Sequence, residues 1–176
     1  AAGFQAIASG GQSTAVGFLS KSTGIASNAI GSYSLAEGFF STAVGTEAKA
    51  KNEFDLAAGH GAIASGGEST AVGYKAQANG WASFAQGSFA LADGDKSIAI
   101  GSDAKTKAVN AIAIGNSAQA TGEQSISVGK GNIVSGNNSA AIGNPSNISG
   151  NNSYSLGNNN TIATNDTFVV GSNVTK

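Results

Sequence analysis

His60 is the only histidine in the chain, and it is the residue best suited to acid–base or metal chemistry. The 176 residues include no cysteine. His60 therefore lacks the second nitrogen or sulfur ligand that a metal site needs, and the nucleophile–base partner of a covalent catalyst. We interpret it as an exposed turn residue, and we predict no catalytic, cofactor-binding or metal-binding residue and no cofactor.

Other patterns suggest ligands only weakly. The pairs Gly10–Gly11 and Gly66–Gly67 hint at calcium β-rolls, but those need aspartate in a nine-residue repeat. Gly59-His60-Gly61 is not followed by a helix that could complete a phosphate loop. The stretch Lys-Asn-Glu-Phe-Asp at 51–55 is interpreted as a solvated turn, with a recognition point as the alternative.

Two further groups of side chains have structural and functional interpretations. Phe39, Phe40, Phe54 and Trp81 follow the same turn of their repeats, and packing at a subunit edge is favoured over an adhesive patch. Six asparagines begin Asn-x-Ser/Thr triplets, namely Asn137, Asn147, Asn151, Asn159, Asn165 and Asn173. We interpret these as stacked asparagine ladders rather than as glycosylation sites.

The overall charge excludes one class of partner. Charged residues make up 11% of the chain, the net charge is −1, and all nine basic residues are lysines. Nucleic acid is therefore not an expected partner, because phosphate contacts need a basic stripe. No apolar run approaches the roughly 18 residues of a membrane-spanning helix. We therefore expect no contact of this chain itself with a membrane.

All of these residues belong to a strict fourteen-residue repeat, and the fold of that repeat determines where they lie. Glycine recurs every fourteen residues from Gly3 to Gly171, and a second, interrupted series runs from Gly10 to Gly150. Each repeat contains two short strands, such as Ser97–Gly101 and Ala48–Ala50, and two turns. An alanine-rich helix is excluded, because each glycine costs about 1 kcal/mol relative to alanine. The pattern predicts an all-β solenoid of about twelve fourteen-residue coils, forming one domain over residues 1–176.

The two strands of each repeat differ in their predicted outer faces. The second strand points polar residues outward (Lys21, Lys49, Gln77, Lys105 and Gln119), so its sheet is predicted to face water. The first strand has alanine inside and an apolar residue outside. An apolar stripe of this length needs a cover, and a closed ring of three copies supplies one. The predicted trimer interface is Val16, Ile30, Val44, Val72, Ile100, Ile114, Val128 and Ile142.

The repeat, as in Ser-Thr-Ala-Val-Gly-Tyr-Lys-Ala-Gln-Ala-Asn-Gly at 69–80, resembles the YadA-like heads of trimeric autotransporter adhesins, and the match spans residues 3–171. The resemblance implies a left-handed parallel β-roll that assembles as a homotrimer on the surface of a Gram-negative bacterium, held at the outer membrane by its stalk and anchor. It further implies attachment to host cells or matrix proteins such as collagen, fibronectin or laminin. Asparagine-rich coils from about residue 131 would lead towards the neck.

Three other functions compete with an adhesive head. A structural spacer would use the same rod to present another tip domain. A left-handed β-helix acyltransferase would need coils of about eighteen residues built from hexapeptides and a catalytic histidine at a subunit boundary. An ice-binding solenoid would need a continuous threonine ladder, whereas Asn28 and Leu56 interrupt Thr14, Thr42 and Thr70. The sequence therefore favours a non-enzymatic adhesin head, with unidentified ligand-binding residues.

Overall fold

Two parallel sheets make up the chain, which a computed structural model describes over residues 1–176. The narrow sheet contains the odd-numbered strands: β1 (Ile7–Ala8), β3 (Lys21–Ser22), β5 (Leu35–Ala36), β7 (Lys49–Ala50), β9 (Ile63–Ala64), β11 (Gln77–Ala78), β13 (Leu91–Ala92), β15 (Lys105–Thr106), β17 (Gln119–Ala120), β19 (Ile133–Val134), β21 (Asn147–Ile148) and β23 (Thr161–Ile162). The wide sheet contains the even-numbered strands: β2 (Thr14–Val16), β4 (Asn28–Ile30), β6 (Thr42–Val44), β8 (Leu56–Ala58), β10 (Thr70–Val72), β12 (Phe84–Gln86), β14 (Ile98–Ile100), β16 (Ile112–Ile114), β18 (Ile126–Val128), β20 (Ala140–Ile142), β22 (Tyr154–Leu156) and β24 (Phe168–Val170).

Every strand pairs with the strand one coil further along in the same sheet. In β14 and β16, for example, Ile98 lies beside Ile112 and Ile100 beside Ile114. Because each pairing has the same fourteen-residue register, equivalent residues form straight columns along the roll. The predicted all-β solenoid of twelve coils is confirmed. The chain has no helix that could cross a membrane.

The core is thin because both sheets point small side chains inward. Ala85 and Ala99 of the wide sheet and Ala92 of the narrow sheet are fully buried. Near the C-terminal end the narrow sheet instead buries larger residues, including Val134 and Ile148. Successive residues of a strand point to opposite faces, so each sheet contributes one inward column of small residues, and a further buried alanine column, which includes Ala76 and Ala90, directly precedes the narrow-sheet strands.

Asparagine replaces alanine in part of this core. Asn132 is fully buried, and its side-chain nitrogen donates to the carbonyl oxygens of Val128 and Gly143, each at 2.8 Å. Its Oδ1 accepts a hydrogen bond from the backbone nitrogen of Ser146 at 2.7 Å. Two repeats further on, Asn160 makes two equivalent bonds, to the Gly171 carbonyl and from the Val174 backbone nitrogen, and its third bond goes to the Ser155 hydroxyl at 2.9 Å. These bonds satisfy polar groups that burial would otherwise leave unpaired.

Candidate binding surface

The outer face of the wide sheet carries the predicted interface residues. The eight valines and isoleucines all occupy the third position of their strands, in one outward column that Ala58 and Gln86 interrupt. Val16, Ile114 and Ile142 are 41%, 39% and 48% exposed. Their contact with another subunit stays a prediction.

A second outward column of the wide sheet changes character along the roll. The first strand position holds mainly Thr and Asn up to β10, including Thr14 and Asn28. From β12 onwards it holds mainly large apolar residues, beginning with Phe84 and Ile98. The apolar face is therefore one column wide in the N-terminal half of the roll and two columns wide in the C-terminal half.

The outer face of the narrow sheet is not uniformly polar, so that prediction was only partly right. The five predicted polar residues do point outward, but apolar residues alternate with them in the same column. The column begins Ile7, Lys21, Leu35, Lys49, Ile63, Gln77, Leu91 and Lys105. Neighbouring coils lie about 4.8 Å apart, so an apolar side chain recurs about every 9.6 Å over this part of the roll.

Turns form the two remaining surfaces. The first edge comprises the turns that follow wide-sheet strands, and the second edge comprises the turns that follow narrow-sheet strands. On the first edge, Phe18 contacts Phe4 and Tyr33, with ring centroids 5.5 and 5.4 Å apart. His60, which is exposed as predicted, stacks on Tyr74 at 5.5 Å. Sequence analysis missed these first-edge aromatics.

On the second edge, three of the four residues singled out from the sequence come together. The ring of Phe40 lies 4.2 Å from that of Phe39 and 5.8 Å from that of Phe54, measured between centroids. Trp81 lies apart from this cluster, where the Lys96 ammonium sits 5.2 Å from its ring. Both edges therefore present aromatic surface, although in separate patches.

Residues 51–54 are exposed, as the interpretation of 51–55 as a solvated turn requires, but Asp55 is buried, which corrects that interpretation at this one residue. Its side chain is 1% exposed. Oδ1 accepts hydrogen bonds from the backbone nitrogens of Gly67 and Ser69, both at 3.0 Å, and from the Ser69 hydroxyl at 2.7 Å. Oδ2 accepts one from the backbone nitrogen of Asn52 at 2.8 Å. Asp55 thus ties its own irregular turn to the next coil.

We expect Asp55→Ala to lower the free energy of unfolding by about 2–4 kcal/mol, because it leaves several buried or partly buried donors without an acceptor. Asp55→Ser is the matched control, since serine occupies this position in most coils and its hydroxyl can satisfy part of the set. Guanidinium unfolding at one fixed protein concentration measures both. A loss below about 0.5 kcal/mol for Asp55→Ala, the range of an ordinary surface substitution, would contradict this role.

Asparagine ladders run along both edges of the C-terminal coils, as predicted for five of the six triplet asparagines, whereas Asn147 lies in the narrow-sheet strand β21. On the second edge, Asn151 Oδ1 accepts from the backbone nitrogen of Asn137 at 2.9 Å, and Asn165 Oδ1 accepts from that of Asn151 at 2.8 Å. On the first edge, Asn158 Oδ1 accepts from the backbone nitrogen of Asn144 at 2.8 Å. Each side chain satisfies a turn amide of the preceding coil, so these edges are held by polar contacts.

One cleft opens on the surface, among these asparagine-rich coils. It is shallow, and it lies between Gly131, Pro145 and Asn159. Its lining includes no titratable side chain. The rest of the exposed surface consists of the two outer sheet faces and the two edges.

Comparison with known proteins identifies the repeat. The YadA head domain repeat (2 copies) matches residues 1–20, 8–34, 36–62, 64–90, 82–104, 92–118, 107–132 and 120–146. The crystal structure of the collagen-binding domain of the Yersinia adhesin YadA is similar, with a TM-score of 0.58 and 25% sequence identity over 78% of this chain and 69% of that chain. No curated protein sequence matches. The acyltransferase alternative is therefore not favoured, and the chain belongs to the YadA head repeats of trimeric autotransporter adhesins.

Proposed function

We propose that this adhesin head works as a homotrimer on the bacterial surface, where it attaches to an extracellular matrix protein of the collagen type. The observation that carries the proposal is the similarity to the collagen-binding domain of the Yersinia adhesin over 78% of the chain. Residues 1–176 act as one head domain, and the asparagine-rich coils from about residue 131 lead towards the neck. Stalk and anchor regions outside this chain hold the head at the outer membrane.

The apolar column of the wide sheet supports the trimer. Apolar surface gains about 25 cal/mol for each Å² removed from water, and valine or isoleucine recurs in this column from Val16 to Val170. Three such faces meet on a common axis in a closed ring, and each column then covers the others. The narrow sheets lie on the outside of that ring, where a ligand can reach them.

The alternating column of the narrow sheet supports this face as the matrix-binding surface. Its apolar residues recur about every 9.6 Å, at twice the coil spacing. A polyproline II chain, the conformation of collagen strands, repeats every three residues, or about 9.3 Å. Successive apolar side chains of such a chain therefore meet Leu35, Ile63 and Leu91 in turn. Three equivalent faces on one trimer add avidity to weak individual contacts.

We expect the triple variant Leu35→Ser, Ile63→Ser, Leu91→Ser to weaken binding to immobilised triple-helical collagen at least about tenfold, equivalent to about 1.4 kcal/mol, because it removes all three apolar contacts. The variant Gln77→Ser, Gln119→Ser, Asn147→Ser is the matched control, since it truncates polar residues of the same column. Surface plasmon resonance measures both, alongside the solution mass.

Two results would count against the proposal. Unchanged collagen binding by the apolar triple variant would move the binding surface away from the narrow sheet. A wild-type trimer that binds none of collagen, fibronectin and laminin would contradict attachment to matrix altogether. That second result would favour the spacer function, in which the rod only presents another tip domain.

A further inference from the structure

The narrow sheet presents paired lysines at two places along the roll. Lys49 and Lys51 form the first lysine pair, and Lys105 and Lys107 form the second. In each pair a fully buried residue separates the two lysines, so both side chains point outward from the sheet. The first lysine of each pair is half-buried and the second is exposed. No other coil of the narrow sheet presents two lysines.

The surroundings of the two lysine pairs are also repeated. One coil before each pair, the same two columns hold a leucine and a carboxylate, namely Leu35 and Glu37 before the first pair and Leu91 and Asp93 before the second. Each leucine is the register partner of the first lysine of its pair. The outer face of the narrow sheet therefore carries two copies of one mixed patch, four coils apart.

The turns of the second edge beside the two patches do not match in the same way. Phe39 and Phe40 follow the leucine and carboxylate of the first patch, whereas Asp95 and Lys96 take the equivalent positions four coils further on. The outer face thus keeps its chemistry where the neighbouring turn changes from apolar to charged. Two like patches on one face can contact like parts of a single extended ligand.

Positive charge is concentrated on this face. It presents Lys21 in addition to the two lysine pairs, against two carboxylates, those of Glu37 and Asp93. The chain as a whole has a net charge of −1, and the strands of the wide sheet contain no charged residue. The face proposed to meet the ligand is therefore the positively charged one, and acidic groups on the ligand would complement it.

The distance between the two patches matches a repeat of collagen-type chains. Four coils span about 19 Å at the usual spacing of paired strands. Six residues of a polyproline II chain span about 18.6 Å. Because glycine occupies every third position of a collagen strand, six residues return to the same position of the triplet. An acidic side chain that meets the first lysine pair can therefore recur over the second.

We propose that the narrow face selects triple-helical segments with acidic side chains six residues apart, one over each lysine pair. The inference rests on the proposed function and adds the ligand feature that the alternating apolar column does not specify. Leu35 and Leu91 contact apolar residues between the acidic ones. Glu37 and Asp93 repel an acidic side chain that is displaced by one coil, so they fix the register of the ligand.

Three soluble, fluorescently labelled peptides of Gly-Pro-hydroxyproline triplets test the spacing. The six-residue peptide has two glutamates per chain, six residues apart, the twelve-residue peptide has the same two glutamates twelve apart, and the host peptide has none. A glutamate over Lys49 places one twelve residues further, about 37 Å away, near Thr161 of the same column. The twelve-residue peptide therefore cannot engage both lysine pairs. Circular dichroism verifies that all three peptides are triple-helical.

The protein variant Lys105→Gln, Lys107→Gln removes the second lysine pair. Lys130→Gln, Lys176→Gln is the matched control, because it makes the same change in charge on the first edge and at the C-terminus, outside both patches. Fluorescence anisotropy measures the Kd of each peptide for each protein, and the solution mass verifies that assembly is unchanged.

We expect the parent protein and the Lys130/Lys176 control to bind the six-residue peptide at least about fivefold more tightly than the twelve-residue peptide, since exposed ion pairs are individually weak. The Lys105/Lys107 variant should bind these two peptides within about twofold of each other. Equal binding of the two glutamate peptides by the parent protein would overturn the inference. If the parent then binds both more tightly than the host peptide, the face attracts acidic chains of any spacing.

Equal binding of all three peptides would also overturn the inference, while the proposed attachment to collagen would stand. The same holds if native collagen binds but none of the three peptides does. Absence of binding to every peptide and to native collagen would instead contradict the proposed function, and the inference with it.

Discussion

Replacing Ile100 and Ile114 together with aspartate is expected to convert the proposed trimer into monomers. Both residues point outward from neighbouring wide-sheet strands, in direct register. Three subunits would bring six carboxylates into one apolar interface, and burying an ion without a partner costs several kcal/mol. Sedimentation equilibrium over a wide concentration range should give one third of the parent mass.

The matched control places the same charges on the other sheet. Gln77→Asp with Leu91→Asp also changes outward residues of adjacent coils, in β11 and β13, and should leave the trimer intact. Far-UV circular dichroism verifies that both variants keep their strands. A trimeric Ile100/Ile114 variant would show that the wide face is not the interface. If the parent fragment is itself monomeric, a trimeric coiled coil fused after Lys176 tests whether a stalk supplies the association.

The fold could be predicted from sequence because one backbone constraint repeats. A fixed spacing without insertions allows equivalent residues to stack in register, as Ala99 does with Ala85 and Ala113. Within each strand the alternation of faces then assigns alanine to the core and isoleucine to the outside. The placement of alanine in the core and of isoleucine on the outer face depends only on residues adjacent in sequence and on residues one repeat away. Both placements could therefore be predicted from the sequence pattern.

Features that depend on irregular positions were not predictable in the same way. Asp55 looked solvated because charged residues are seldom buried, but donors from the following coil, including the Gly67 amide, surround it. The contact between Phe18 and Tyr33 was not predictable from the repeat, because the two residues occupy adjacent turn positions in different columns. The two rings are in contact because their side chains extend across neighbouring columns, and the spacing of the repeat does not specify side-chain direction.

The two glycine series differ in the backbone conformation that they impose on the glycine. In the first series, Gly87 has a φ of +129°, and a Cβ there would lie 2.5 Å from the carbonyl oxygen of Gly101. In the second series, Gly80 has no positive φ, although its Cβ would lie 2.1 Å from the carbonyl oxygen of Gly94. The first series has no exceptions from Gly3 to Gly171, whereas Asn52, Ala108 and Thr164 occur in the second. Positive φ together with close stacking therefore excludes a side chain more strictly than stacking alone.

We accordingly expect Gly87→Ala to lower the free energy of unfolding by about 3 kcal/mol or more, since it combines backbone strain of about 1–3 kcal/mol with a clash against the next coil. Gly11→Ala is the control, because no atom lies within 4 Å of a Cβ at Gly11 and its φ is not positive. Reducing the freedom of the unfolded chain should make that change neutral or stabilising by up to about 1 kcal/mol.

Guanidinium unfolding at equal protein concentration compares the Gly87 and Gly11 variants, and hydrogen exchange locates the damage. Because each coil contacts only its neighbours, stability in a solenoid is coupled locally. Gly87→Ala should therefore lose amide protection first in the coils on either side of residue 87, while the asparagine-rich coils stay protected. Equal unfolding midpoints for Gly87→Ala and Gly11→Ala would mean that the coils can move apart to admit a methyl group. In that case the unbroken first glycine series would need a cause other than the backbone geometry of the turn.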